Sequence, residues 1–212
     1  LSLLATAQYT IRSGPGLGGT ELKPWTDIVA FSTGGLSYVT DWPVDFAAAA
    51  EGVNYLSARA FDMLGNMTTG VDLFEVRNDT TVPGAVDNQA GDTAWRNAAG
   101  TLYNVDFQDI SSGLSNAQYT IRSATGFGGA EVVPWTDFTP PVWSVDFVAL
   151  PQGESYVSVR ASDVAGNLSG ATTDVFFVRK DTTSPTITDN QTGDDTPRGG
   201  PGAAYNVDFA DT

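Results

Sequence analysis

The sequence predicts an all-β protein built from tandem β-sandwich modules, and three observations carry that expectation. The chain repeats itself, with Gln8 returning as Gln118, Asn66 as Asn167 and Asp79 as Asp181, offsets of 110, 101 and 102 residues. A fixed long period means successive copies of one folding unit. Apolar residues alternate with a period of two in short runs separated by Gly, Pro, Asn and Asp. No stretch shows the 3.6-residue periodicity of an amphipathic helix.

The repeated segments are long enough to align the copies. Ala-Gln-Tyr-Thr-Ile-Arg-Ser stands at 7–13 and 117–123, Pro-Trp-Thr-Asp at 24–27 and 134–137, and Tyr-Asn-Val-Asp-Phe at 103–107 and 205–209. The drop in offset from 110 to 101 locates a nine-residue insertion between Asp27 and Phe46, where the twin segment from Asp137 to Phe147 is shorter. Such insertions belong in surface loops or hairpin tips. Residues 79–183 hold one whole unit. In it Tyr103, Val105 and Phe107 share one strand face, Tyr119 and Ile121 another, and Trp143, Val145 and Phe147 a third. Val157, Val159 and Ala161 point inward, and 175–178 is a continuous apolar run of a strand covered on both faces. Strands near 85–89 and 132–136 bring the total to about seven, the pattern of an immunoglobulin-like β-sandwich.

Composition sets the function classes. The 212 residues are 41% hydrophobic, enough for true cores, and no apolar run approaches the length of a membrane helix. No leader peptide is visible at Leu1-Ser2-Leu3-Leu4. Net charge is −15, and 20 of the 25 acidic residues are Asp, the carboxylate of turns and calcium loops. Eight Arg and two Lys form no cluster, which disfavours nucleic acid. The absence of Cys and His removes thiol nucleophiles, Ser-His-Asp triads, disulfides and the usual zinc sites. Acidic positions recur from copy to copy, whereas catalytic sites are usually single, so the chain is expected not to be an enzyme. Sequons at Asn66, Asn78, Asn167 and Asn190 are too short a pattern to assign glycans.

The run at 159–169, Val-Arg-Ala-Ser-Asp-Val-Ala-Gly-Asn-Leu-Ser, followed by Phe-Val-Arg-Lys-Asp-Thr-Thr-Ser-Pro at 177–185, resembles the closing strands and linker of tandem bacterial Ig-like domains of large extracellular, adhesin-type repeat proteins. The resemblance implies a tandem-sandwich fold, an extracellular or cell-surface setting and a structural role. The expected organisation is an Ig-like module lacking its first two strands at 1–78, a complete module at 79–183, and at 184–212 the first two strands of a following module or donor strands for a neighbouring chain. Two explanations of the ends stay open: a longer covalent array, or head-to-tail strand donation. The expected function is a stalk, adhesin shaft or filament formed by end-to-end association. The alternative is a glycan-binding accessory module of an extracellular enzyme, which needs an exposed aromatic platform. Expected partners are copies of itself, head to tail, with host or cell-surface glycans or proteins as further candidates, and neither nucleic acid nor membrane insertion.

Calcium is the expected cofactor, because it takes six to eight oxygen ligands from Asp, Asn and carbonyls. The candidate ligands are Asp79, Asp87 and Asp92, their twins Asp181, Asp189 and Asp194, and Asp163 from a facing hairpin. No EF-hand or nonapeptide calcium pattern is present. The competing reading is that these residues cap turns; Asp62 and Asp163 each precede a Gly-Asn turn whose amides they can bind. Of the five tryptophans, the paired Trp25/Trp135 and Trp42/Trp143 are expected in core or inter-module packing.

Overall fold

A computed structural model describes residues 2–89, 91–140, 142–202 and 204–211. The described residues are nearly all β, with one 3₁₀ turn at Phe46–Ala48 and no α-helix. They divide into two compact units: Leu1–Pro83, Asp109–Ser115 and Ser162–Leu168 in the first, and Gly84–Gln108, Asn116–Ala161 and Ser169–Thr212 in the second.

The first unit carries β1 (Leu4–Arg12), β2 (Glu21–Gly35), β3 (Gly52–Asp62) and β4 (Met67–Asn78), one antiparallel sheet in the order β2-β1-β3-β4. Its buried core is small: Tyr9, Ile11 and Leu56, with Leu22, Ile28, Trp42, Val44, Ala48 and Val76 partly buried around them. Part of the nine-residue insertion lengthens β2 to 15 residues, against eight in its twin strand, instead of forming only a loop. The rest is exposed chain around Leu36 and Val39.

The second unit is built from β5 (Gly84–Asp87), β6 (Trp95–Arg96), β7 (Tyr103–Gln108), β8 (Leu114–Arg122), β9 (Glu131–Phe138), β10 (Val142–Trp143), β11 (Gly153–Asp163) and β12 (Thr172–Lys180). They form two sheets, β6-β12-β11-β8-β9 and β10-β7-β5. Tyr103 and Val105 of one sheet share a core with Tyr119, Ile121, Val157, Val159, Phe176 and Val178 of the other. Two sheets closed on one core, with this strand order, are an immunoglobulin-like β-sandwich. Val105, Ile121, Val157, Val159 and Val178 are wholly buried, each worth about 1.5–3 kcal/mol of apolar burial.

Two local details differ from simple alternation. Only Val142–Trp143 pairs as a strand in the third aromatic run, through Trp143↔Tyr103 and Val142↔Asn104. Trp143, Val145 and Phe147 nonetheless all enter the core, as the alternation predicts. Adjacent Val175 and Phe176 are both buried because the register slips between Val157 and Val159. The irregularity puts Thr173, Asp174 and Val175 opposite Ser158 alone, with Asp174 at φ 52°, a left-handed conformation that Asp tolerates better than most. Ser158 Oγ accepts its N–H at 3.0 Å, and its Oδ2 accepts Gly126 N–H at 2.7 Å. Asp72, Ser57 and Gly16 repeat the arrangement in the first unit.

Beyond the sandwich, β13 (Thr186–Asp189) and β14 (Val207–Ala210) form a two-stranded hairpin with every strand residue exposed.

Candidate metal centre and uncovered apolar faces

Among the described residues, one group of three acidic side chains has the spacing of a metal site: Asp79, Asp109 and Asp163, with one oxygen of each within 4.8 Å of the others. All three lie in the first unit. Asp79 follows β4. Its Oδ1 accepts Thr81 N–H at 3.1 Å and Thr81 Oγ1–H at 2.8 Å, and its Oδ2 accepts Ser112 N–H at 3.0 Å. Hydrogen bonding from the Ser112 side chain, then from Thr81, holds its carboxyl below the ordinary value despite desolvation. Asp109 Oδ2 accepts the Ser111 and Gly113 amides at 3.2 and 2.6 Å. Asp163 is 2% exposed. Its Oδ1 accepts the Gly166 and Asn167 amides at 2.7 and 2.8 Å, and its Oδ2 accepts Asn167 Nδ2–H at 2.8 Å.

Each carboxylate is therefore placed by its own turn. The Asp163 loop is the self-capped Gly-Asn turn anticipated from sequence, and Asp62 repeats it through Leu64 and Asn66. Asp79 and Asp163 accept two bonds at Oδ1 but one at Oδ2, and Asp109 accepts both of its bonds at Oδ2, so each carboxylate keeps a lone pair for a hard cation, and calcium–oxygen distances of about 2.3–2.6 Å allow ligand oxygens to stand this far apart. Asp79 and Asp163 were legible as candidates. Asp109 was not, although it recurs as Asp211 at the same 102-residue offset as Asp79 and Asp181.

The other candidates are held differently. Asp87 and Asp189 each accept an amide two residues on, from Gln89 and Gln191, at 2.8 Å. Asp181 does the same with Thr183 N–H at 2.9 Å. Asp92 is buried and faces Arg96, Nε to Oδ2 at 2.9 Å and Nη2 to Oδ1 at 3.1 Å, and accepts Tyr103 O–H at 3.1 Å. Burial works to raise its carboxyl, but the Arg96 and Tyr103 bonds outweigh that and hold it below the ordinary value. Burial first, then Asp92, pushes the Tyr103 phenol up to about 12. Asp194 repeats the lock with Arg198 and Tyr205, whose hydroxyl lies 3.3 Å away. An arginine already neutralises both Asp92 and Asp194, which makes them poor cation ligands. The Asp-x-x-x-Arg spacing, present twice, was the available signal.

A second feature concerns apolar surface. Phe176 is 2% exposed but its twin Phe74 43%; Phe147 is 8% exposed and Phe46 50%; Val175 is 5% exposed and Leu73 57%. In the second unit these positions are covered by the sheet containing β7. The first unit has no such layer among its described residues. Trp42 bridges Tyr9 at 4.7 Å and Phe74 at 6.2 Å, as Trp143 bridges Tyr119 at 5.1 Å and Phe176 at 5.6 Å. Trp25 and Trp135 lie beneath the guanidinium groups of Arg59 and Arg160 at 4.4 and 4.2 Å, so one face of each ring is occupied.

No family model matches the chain, and no curated protein matches it. Among solved structures it is similar to the fibronectin(III)-like modules of Clostridium thermocellum CbhA, at 15% identity over 84% of this chain and 80% of that chain, with a TM-score of 0.35. The fold assignment rests on strand order and the shared core. The protein is an all-β chain of the immunoglobulin-like β-sandwich class.

Proposed function

We propose that this chain is a non-catalytic structural repeat protein of the cell exterior, a stalk, adhesin shaft or filament whose Ig-like modules join end to end. The observation supporting this reading is the copying of structural detail from repeat to repeat: the Asp92–Arg96–Tyr103 contacts recur as Asp194–Arg198–Tyr205, and the Asp174–Ser158–Gly126 contacts recur as Asp72–Ser57–Gly16. Successive copies of one folding unit build extended arrays. The reading divides the chain into modules at 1–78, 79–183 and 184–212. Head-to-tail contacts between unlike surfaces do not close on themselves unless a rotation happens to form a ring, so they extend into rods. Pro83 and Pro185 stiffen the linkers, and the net charge of −15 keeps rods apart until cations bridge them. Calcium is assigned to Asp79, Asp109 and Asp163, where it would fix the turns that carry them. Glycans or proteins at a cell surface are the expected further partners. Negative-stain electron microscopy of the native material tests the reading: beaded rods support it, and discrete small particles contradict it.

A further inference from the structure

We propose that each unit binds the carboxylates of an acidic polysaccharide on the sheet face turned away from its core, through Arg59 in the first unit and Arg160 in the second. The inference rests on the cell-exterior reading and names a ligand class for it, while its test is independent of how modules join.

Charge pairing singles out these two residues. The chain sets eight arginines against 25 acidic residues. Six of them, Arg12, Arg77, Arg96, Arg122, Arg179 and Arg198, form ion pairs with Asp or Glu. Among the described residues, Arg59 and Arg160 have no such pair, and they are repeat twins at the 101-residue offset. In so acidic a chain, an arginine without a carboxylate is the exception.

Both are nonetheless held in place. Arg59 Nε–H donates to Gln8 Oε1 at 2.7 Å, and Gln8 Nε2–H donates to Asp27 Oδ1 at 2.7 Å. Arg160 Nε–H donates to Gln118 Oε1 at 2.7 Å, and Gln118 Nε2–H donates to Asp137 Oδ1 at 2.8 Å. The guanidinium groups lie over Trp25 and Trp135 at 4.4 and 4.2 Å. Each arginine thus spends its Nε donor on a glutamine, and among the described residues nothing accepts from its Nη groups. A guanidinium fixed by a ring and a hydrogen bond presents Nη1 and Nη2 as a fork that takes a carboxylate end-on through two parallel bonds. Gln118 stands between buried Ala117 and Tyr119, and Arg160 between buried Val159 and Ala161, so both side chains point away from the core.

The site is copied without change while the packing under it is not. Leu56 becomes Val157 and Ile28 becomes Phe138, but Gln, Trp, Asp and Arg are the same in both units. Surface substitutions usually alter stability by less than about 0.5 kcal/mol, so stability alone does not fix four partly exposed residues. A site carried once per repeat suits a ligand that itself repeats, because linked weak contacts add as avidity. A polymer of uronic acids presents one carboxylate per sugar, and the apolar edge of each ring can meet the indole beside the fork. The net charge of −15 repels polyanions elsewhere on the chain, so retention by one reports the forks.

Affinity electrophoresis of the full chain through gels holding polygalacturonate, neutral dextran or polyglutamate tests the assignment. Polygalacturonate is expected to retard the chain, polyglutamate to retard it less and dextran not at all, with added salt weakening the effect. Combining Arg59→Lys with Arg160→Lys keeps both charges and removes both forks. That double variant is expected to bind polygalacturonate at least about tenfold more weakly, with each single variant in between. Thermal midpoints equal to wild type confirm that the variants fold. No retardation by polygalacturonate overturns the ligand. Equal retardation of wild type and double variant overturns the arginines as the site. Polyglutamate that retards as strongly as polygalacturonate overturns the sugar and points to an acidic peptide. Beaded rods in electron microscopy beside a failed gel leave the array standing, so the two readings fail separately.

Discussion

Phe176→Ala and Phe74→Ala remove the same ring from equivalent strand positions, and their difference measures what the facing sheet contributes. Phe176 is 2% exposed, lies 4.3 Å from Tyr103 in a stack with a 14° interplanar angle, and lies 5.6 Å from Trp143. Truncating a buried Phe costs about 3–5 kcal/mol through lost transfer energy and the cavity left behind. The stacked pair adds about 0.5–1.5 kcal/mol. In a domain of this size each kcal/mol moves the midpoint by about 4–8 °C, so the transition of the second unit should fall by well over 10 °C. Phe74 is 43% exposed and contacts Trp42 at 6.2 Å with no opposing layer in its own unit. Its loss should cost about 1–2 kcal/mol, since about two-fifths of it already faces water and no opposing layer closes a cavity around it. Thermal unfolding followed by near-ultraviolet circular dichroism and tryptophan fluorescence at low protein concentration reads both variants. Equal shifts for the two, or a shift of only a few degrees for Phe176→Ala, would refute the claim that the uncovered face is the energetic difference between the units.

Three further outcomes follow from the site chemistry. The Asp92 carboxyl is depressed by Arg96 and Tyr103, so its contribution is complete above the unfolded Asp value of about 3.9 and is lost as pH falls through the lower folded value. Asp92→Asn should flatten the acid limb of the second unit's stability curve and destabilise it at neutral pH, by less than breaking a fully buried pair because water reaches the stranded Arg96. The Tyr103 phenol is raised to about 12, so the opposite sign applies at high pH: stability is intact below about 10 and lost as pH rises towards the folded value. Ultraviolet difference titration of wild type against Tyr103→Phe reads that step. For calcium, calorimetric titration of chelator-treated protein should show binding that Asp109→Asn abolishes or weakens by at least about tenfold, because a ligand charge is lost while the turn can still be capped. Unchanged binding in that variant would remove Asp109 from the site.

The sandwich was legible because burial on one face of a strand writes itself as alternation. Tyr103, Val105, Tyr119, Ile121, Val157 and Val159 are all buried where the period of two places them. Pairing was less legible. The run from Trp143 to Phe147 keeps its inward rhythm, but only its first residues find a backbone partner, and partners are set by tertiary packing. The insertion after Asp27 extends β2 because an antiparallel partner continues beside it, with Thr6↔Ala30 and Leu4↔Gly35 still paired across a register shift. At the carboxylates, residue type marked Asp79 and Asp163, while Asp109 joins them through a separate loop that no local pattern connects to theirs. Residue type alone marks Asp92 as a free ligand, because its pairing with Arg96 four residues on is made only by the fold.

The central claim is that β5 to β12 close two sheets on one core while β13 and β14 stand outside it, and hydrogen–deuterium exchange along the chain tests it most directly. Slow exchange in Tyr103–Gln108, Gly153–Asp163 and Thr172–Lys180, with fast exchange in Val207–Ala210, is the predicted result. Exchange in β7 as fast as in β14 would contradict it.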